Sequence, residues 1–338
     1  MSSLSVSGEN GPTIAKPAWS LGYPVLGVLL LAVPLVASPF ITSQLGAYSL
    51  ILGLIGLSTM VLIGYGGIVS LAQITVAGVA GYTLAILGEN TSNVHGFGWP
   101  WWLVVPIAIA MASLFSSLVG AIAVRTAGIY TIMITLAIAA AAFYLVMQNY
   151  TLFNGFPGYA GLRTPIVAGV DFGSTSPFYY LCLVIGVLFY CATLYVAKSP
   201  FGLSLQAIRD NADRAKAVGF NVAAHKVAAH ALSGVMAGTA GVLLAWFNGR
   251  ISSGTIGVGA AIDILVITVI GGIRHPAGPF LGAVLFVTMQ TFAIDLVGAE
   301  RFNTLIGAVF LGMVFLSPDG VLGLLNKVAG HFRKTLRK

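Results

Sequence analysis

Charge is what this sequence has least of. Of its 338 residues only 7% are Asp, Glu, Lys or Arg while 58% are hydrophobic, whereas a soluble domain carries about 25% charged residues. That scarcity excludes a solvated globular domain. Crossing about 30 Å of hydrocarbon takes roughly 20 apolar residues per helix, and runs of that length recur along the whole chain. Each span must satisfy its own backbone hydrogen bonds in lipid. The expected fold class is therefore all-α, a polytopic transmembrane helical bundle.

Cysteine is nearly absent as well. Cys182 and Cys191 are the only two and stand nine positions apart in one apparent span. Along a helix that is roughly 13 Å, too far for a disulfide, so both read as small buried apolar residues. No His, Cys or carboxylate cluster has metal-ligand spacing. A membrane-embedded enzyme would need converging acid, base or metal groups, and none converge. An ion-coupled secondary transporter would need ionisable relays, for which one intramembrane aspartate is thin material. The polar stretch 1–20, with Glu9 and Lys16, lacks a small-residue cleavage site after a short apolar core, so no removable signal is expected.

What is abundant is hydropathy broken at glycine, proline and charge. The breaks predict about ten helices, near 21–42, 45–63, 68–87, 101–124, 129–147, 178–197, 226–247, 255–273, 277–297 and 303–316. With residues 198–225 taken as cytoplasmic, alternation puts both termini inside and collects thirteen of the sixteen Lys and Arg residues there. Only Arg163, Arg250 and Arg301 fall outside, a strong positive-inside bias. The formal charge of +7 is thus a topology signal and not a nucleic-acid footprint. Three regions follow: a cytoplasmic tail at 1–20, a transmembrane domain at 21–325 and a basic cytoplasmic tail at 326–338. Two longer outer loops remain. Residues 88–100 end among Trp99, Trp101 and Trp102, suited to the interfacial aromatic belt. The turn-rich residues 149–177 should form a structured outer surface, either a connector or a docking site for a soluble partner.

One internal stretch is charged. Ser199 and Pro200 supply an N-cap and a proline at the first helical position, and Gly219 is placed for a left-handed end. Between them Leu205, Ile208, Ala212, Ala215 and Val218 form an apolar stripe at helical spacing. Arg209 with Asp213, and Asp210 with Arg214, stand four apart and are expected to pair on the wet face. An interfacial helix would carry bulkier apolar residues; small ones fit a protein socket.

This stretch, from Ala207-Ile208-Arg209-Asp210-Asn211-Ala212-Asp213-Arg214 through Gly219-Phe220-Asn221, resembles the cytoplasmic coupling loop of branched-chain amino acid ABC importer permeases. The resemblance extends to Gly64-Tyr65-Gly66-Gly67-Ile68-Val69-Ser70-Leu71-Ala72-Gln73, to Ser233-Gly234 and Gly238, to Ile262-Asp263-Ile264-Leu265 and Gly271-Gly272, to Gly278-Pro279-Phe280, and to Ser317-Pro318-Asp319-Gly320. It covers most of the chain after the first span. It departs near Gln73, at Asp263 and at Phe220, where the family often has histidine, glutamate and isoleucine.

The resemblance implies a coupling loop at 198–225 whose Leu205, Ile208, Arg209, Asp210, Ala212, Asp213, Arg214, Ala215 and Gly219 engage a cytoplasmic ATPase. It implies as partners two ABC ATPase subunits, a second related permease and an external solute-binding protein, in the lipid of a bacterial cytoplasmic membrane. No Gly-x-x-x-x-Gly-Lys-Ser/Thr phosphate loop occurs here, so ATP and Mg belong to the partners and this chain carries no cofactor and no catalytic residue. Branched-chain amino acids are the expected cargo. Urea, short amides or a sugar are the alternatives within the fold.

Glycine breaks at 64–67 and 271–272 suggest discontinuous helices beside a solute path, or simply close helix packing. Gly66, Gly67, Gln73, Asp263 and Gln290 are the candidate path residues. Asp263 leads them as the one carboxylate near the middle of an expected span, where a charge is costly and should face the bundle interior or a wet cavity, or else be protonated; it lines the path or makes a structural hydrogen bond to a neighbouring helix. His230 is expected to be packed and hydrogen-bonded.

Overall fold

A computed structural model gives the fold and describes residues 22–91, 96–126, 128–167, 169–297, 304, 306–312, 320, 321 and 323. The tails expected at 1–20 and 326–338, and part of the tenth expected span, lie outside the described residues. The long helices are α1 (Gly22–Val36), α2 (Ile41–Tyr65), α3 (Gln73–Leu87), α4 (Trp101–Ala123) and α5 (Ile129–Gln148). After the single turn α6 (Tyr150–Phe153) come α7 (Thr175–Lys198), α8 (Pro200–Asp210), α9 (Ala212–Ala217), α10 (Val222–Asn248), α11 (Val258–Gly271) and α12 (Gly278–Val297). Five of these, α2, α4, α5, α7 and α10, are long and apolar enough to cross a membrane by themselves.

A helix that is apolar on every side belongs inside a bundle. In α2 the residues Ile51, Leu54, Ile55, Leu57 and Met60 are all fully buried, because α10, α11 and α12 pack around it. α10 in turn lies across α3 and α4. The backbones of α10 and α3 touch at Gly241, where a Cβ would lie 1.9 Å from the carbonyl oxygen of Ala77, the small-residue contact that membrane helices use. α5 and α7 are peripheral and expose Met133, Tyr144, Val184 and Leu188, side chains that cost nothing in lipid. The two cysteines correct one expectation: Cys182 is buried but Cys191 is exposed, and both are free thiols. Nine residues are about two and a half helical turns, so the pair points to opposite sides of α7.

The third expected span begins late. Instead of a helix from residue 68, the chain runs without helix until α3 opens at Gln73, although Ile68, Ser70, Leu71 and Ala72 are buried. Hydropathy cannot tell a buried irregular segment from a buried helix. Its backbone is met by protein: Ile68 N–H donates to Leu62 O at 3.0 Å and Leu71 N–H to Thr135 Oγ1 at 3.2 Å. Irregular backbone survives at membrane depth only when buried in this way.

The loops gather at two ends, as an alternating topology requires. At one end β1 (Tyr159–Ala160) pairs antiparallel with β4 (Arg250–Ile251), Leu162 N–H donates to Gly249 O at 3.0 Å and Thr91 N–H to Ala160 O at 3.1 Å. The fully buried Tyr159 donates its hydroxyl to Leu152 O at 2.7 Å, so residues 149–177 do form a folded surface. It includes a second two-stranded ribbon, β2 (Ile166–Val167) with β3 (Val170–Asp171). Trp99, Trp101 and Trp102 stand exposed nearby. At the opposite end lie residues 64–67, the segment 199–221 and the α11–α12 connection. There the Nδ1 of His275 accepts from Ala277 N–H at 3.2 Å, which requires a neutral ring, and burial keeps its pKa below the usual histidine range.

Candidate coupling segment and central cavity

Three polar residues punctuate the charged segment. Ser199 is extended and its Oγ accepts from Gly202 N–H at 3.2 Å, with Pro200 opening α8. Asn211 leaves the helical region (φ −159°, ψ 100°) and its Oδ1 accepts from Arg214 N–H at 2.9 Å, opening α9. Asn221 opens α10 by accepting from Ala224 N–H at 3.0 Å. Such caps are each worth about 1 kcal/mol. Gly219 has φ +100°, the positive value that its place at the end of α9 anticipated.

The expected single helix is therefore two, and the expected ion pairs change with it. Arg209 with Asp213, and Asp210 with Arg214, lose their four-residue register at Asn211. Instead the Nη2 of Arg209 pairs with Asp210 Oδ1 at 2.8 Å, and Lys216 Nζ stands 3.9 Å from Asp213 Oδ1. The apolar stripe also has a different neighbour from the one expected. Leu205 packs on Leu62 and Ala229, and Ile208 and Ala215 pack with Val222 beside the half-buried Ala212. The socket is the chain's own bundle. Open to water are Leu203, Ala207, Arg209, Asp210, Asn211, Asp213, Arg214 and every residue from Lys216 to Phe220.

Arg209 joins this segment to the membrane helices. Its Nη1 donates to the carbonyl oxygen of Gly64 in the last turn of α2, where free carbonyls and the helix dipole favour a cation. Gly67, at φ +64°, lies under the same side chain, and a Cβ there would come 2.7 Å from Arg209 Cγ. The glycine-rich element and the charged segment are thus one contact. Gly67 serves that contact, while a Cβ at Gly66 would meet Leu62 O and Ile68; neither glycine is among the residues lining the cavity beside α2. Gly271 packs backbone to backbone, since its Cβ would fall 2.0 Å from Gly278 O.

Further along, α2 borders a cavity of about 230 Å³. Its apolar wall is Leu52, Ile74, Leu244, Ile264, Ile267 and Phe286; its polar groups are Tyr48, Asn248, Thr255, Asp263 and Gln290. The structure brings Asp263 and Gln290 together here, as two of the five candidate path residues. Gln73 is 1% exposed, accepts from Ser58 Oγ at 3.2 Å and leaves its Nε2 without a partner; only its neighbour Ile74 reaches the wall. Tyr48, Asn248 and Thr255 were not anticipated. Asn248 carried a signal, a polar residue closing an apolar helix just before Gly249. His230 corrects another expectation: it is packed against Gly120 and 1% exposed, yet neither ring nitrogen has a hydrogen-bond partner.

A buried rod, α2, thus touches a charged surface segment at one end and a polar-lined cavity along its length, the anatomy of a membrane permease. A family model described as the branched-chain amino acid transport system permease component matches residues 41–316, and the chain belongs to that family of ABC transporter permeases. It is 25% identical over 93% of its length to the high-affinity branched-chain amino acid transport system permease protein LivM of Escherichia coli, covering 79% of that protein. A nucleoside ABC transporter permease, NupC of Lactococcus lactis, is 27% identical over 68% of this chain and 74% of its own. The ribose import permease RbsC of Haemophilus influenzae is 23% identical over 74% of this chain and 79% of its own. No solved structure matches the chain.

Proposed function

We propose that this chain is the membrane-spanning permease subunit of an ATP-driven importer of branched-chain amino acids. In this reading it crosses a bacterial cytoplasmic membrane about ten times between residues 21 and 325, with the tails 1–20 and 326–338 both in the cytoplasm. Two ATPase subunits hold ATP and Mg beneath it, a related permease stands beside it, and an external binding protein delivers the cargo. The coupling loop, 198–225, meets one ATPase through Asp210, Asp213, Arg214 and the exposed residues up to Phe220, while Leu205, Ile208, Ala212 and Ala215 anchor the loop on the bundle and Gly219 turns the chain back.

The observation that carries the reading is the Arg209 contact with the end of α2. A push on the charged segment reaches α2 directly, and α2 carries it to the cavity wall at Leu52. Those positions are twelve residues apart, about 18 Å along a helix. A packed helix transmits such a displacement because cores are stiff. Asp263 and Gln290 lie on the path, and Gln73 borders it from behind Ile74.

Affinity purification in mild detergent, with identification of the partners, tests the class. Recovery of two ATPases and a second permease, and ATP-dependent leucine uptake by the reconstituted complex with its binding protein, are the expected results. Uptake of a nucleoside or ribose but not leucine would replace the substrate reading, and uptake without any ATPase would end it.

A further inference from the structure

Asp263 makes neither an ion pair nor a hydrogen bond among the described residues, and it lines the cavity beside α2. A carboxylate held within a helical membrane bundle is costly and is kept there for what it meets. Around it the wall is aliphatic and aromatic, through Leu52, Ile264, Ile267 and Phe286, while Asn248 and Gln290 add amide donors. At about 230 Å³ the space is below the roughly 300 Å³ at which pockets for drug-sized ligands begin. It suits a small molecule with one cationic and one apolar end.

We infer that this cavity is a transient binding site in which Asp263 receives the ammonium group of an aliphatic amino acid, with the side chain against Phe286 and Ile267 and the carboxylate toward the Asn248 and Gln290 amides. This deepens the importer reading and rests on it. A primary ammonium has three donors for the lone carboxylate, and the charge-assisted bonds strengthen as the site loses water. A neutral sugar or nucleoside brings no charge to offset the carboxylate. The permease then adds its own discrimination to that of the binding protein.

The test compares variants of the complete reconstituted complex in leucine uptake. Asp263→Asn should lower uptake about tenfold or more, as expected when a charged partner is removed from a desolvated pair, and Asp263→Glu should restore most of it. Phe286→Trp, which narrows the cavity without touching the charge, should lower uptake as well. Uptake by Asp263→Asn within about twofold of the wild type would overturn the inference, as would equal losses for the Asn and Glu variants. If Asp263→Asn fails to assemble, undiminished uptake by Phe286→Trp overturns it instead. A wild-type complex that imports no amino acid contradicts the importer reading; normal uptake by Asp263→Asn beside a leucine-importing wild type contradicts only this site.

Discussion

The charged segment 198–225 touches one end of α2 and the cavity borders the same helix, yet the two are built in opposite ways. In the segment, many small terms act together: three side-chain caps at Ser199, Asn211 and Asn221, the buried apolar side chains of Leu205, Ile208 and Ala215 and several exposed charges. In the cavity one carboxylate stands between an apolar wall and the uncharged polar groups of Tyr48, Asn248, Thr255 and Gln290. Water screens the first, so single changes there should be graded, while the protein interior amplifies the second. Arg209, with Gly67 of the glycine-rich element beneath it, is the exception, because the two carry the segment's contact with α2.

The comparison breaks most readily at that contact. Gly67→Val places a branched side chain at φ +64° and against Arg209, so leucine uptake should fall about tenfold even though no residue of the cavity changes; preserved uptake would sever the contact from transport. Next, Ala215→Trp forces an indole beneath α9, where Ala215 is 6% exposed. Overpacking of this kind costs about 1–3 kcal/mol, visible as a lower unfolding temperature of the purified complex. Asn211→Ala removes the bond to Arg214 N–H and should cost about 1 kcal/mol, confined to faster amide exchange over 212–217. Least of all, Lys216→Gln removes an exposed pair at 3.9 Å, and its effect on unfolding should stay below about 1 kcal/mol. An effect of Lys216→Gln on uptake larger than that of Asn211→Ala would place the role of Lys216 in a partner and not in the fold.

The class of the molecule was legible from composition and from the charged segment, and so were the Ser199 and Gly219 ends of that segment. Asn211 is a weaker signal: an asparagine four residues beyond Ala207 reads as helix surface unless its capping preference is given weight. Residues 68–72 were not legible, because burial in protein makes an irregular stretch as apolar as a span. The face of α7 that carries Cys191 was hidden for a related reason, since lipid and core both select apolar side chains and no period separates them. Asp263 announced itself by its charge. Tyr48 and Thr255 did not, because they meet it from other elements whose approach is decided only in three dimensions.

Asp263 and Arg209 never touch, so the claim that α2 links them is tested most directly by uncoupling one end. The measurement is the number of leucine molecules imported per ATP hydrolysed by reconstituted wild type and Arg209→Glu. A glutamate cannot donate to Gly64 O, and its charge opposes the carbonyl end of α2. The account predicts that this ratio falls about tenfold while the complex remains assembled; an unchanged ratio in an assembled complex would contradict it.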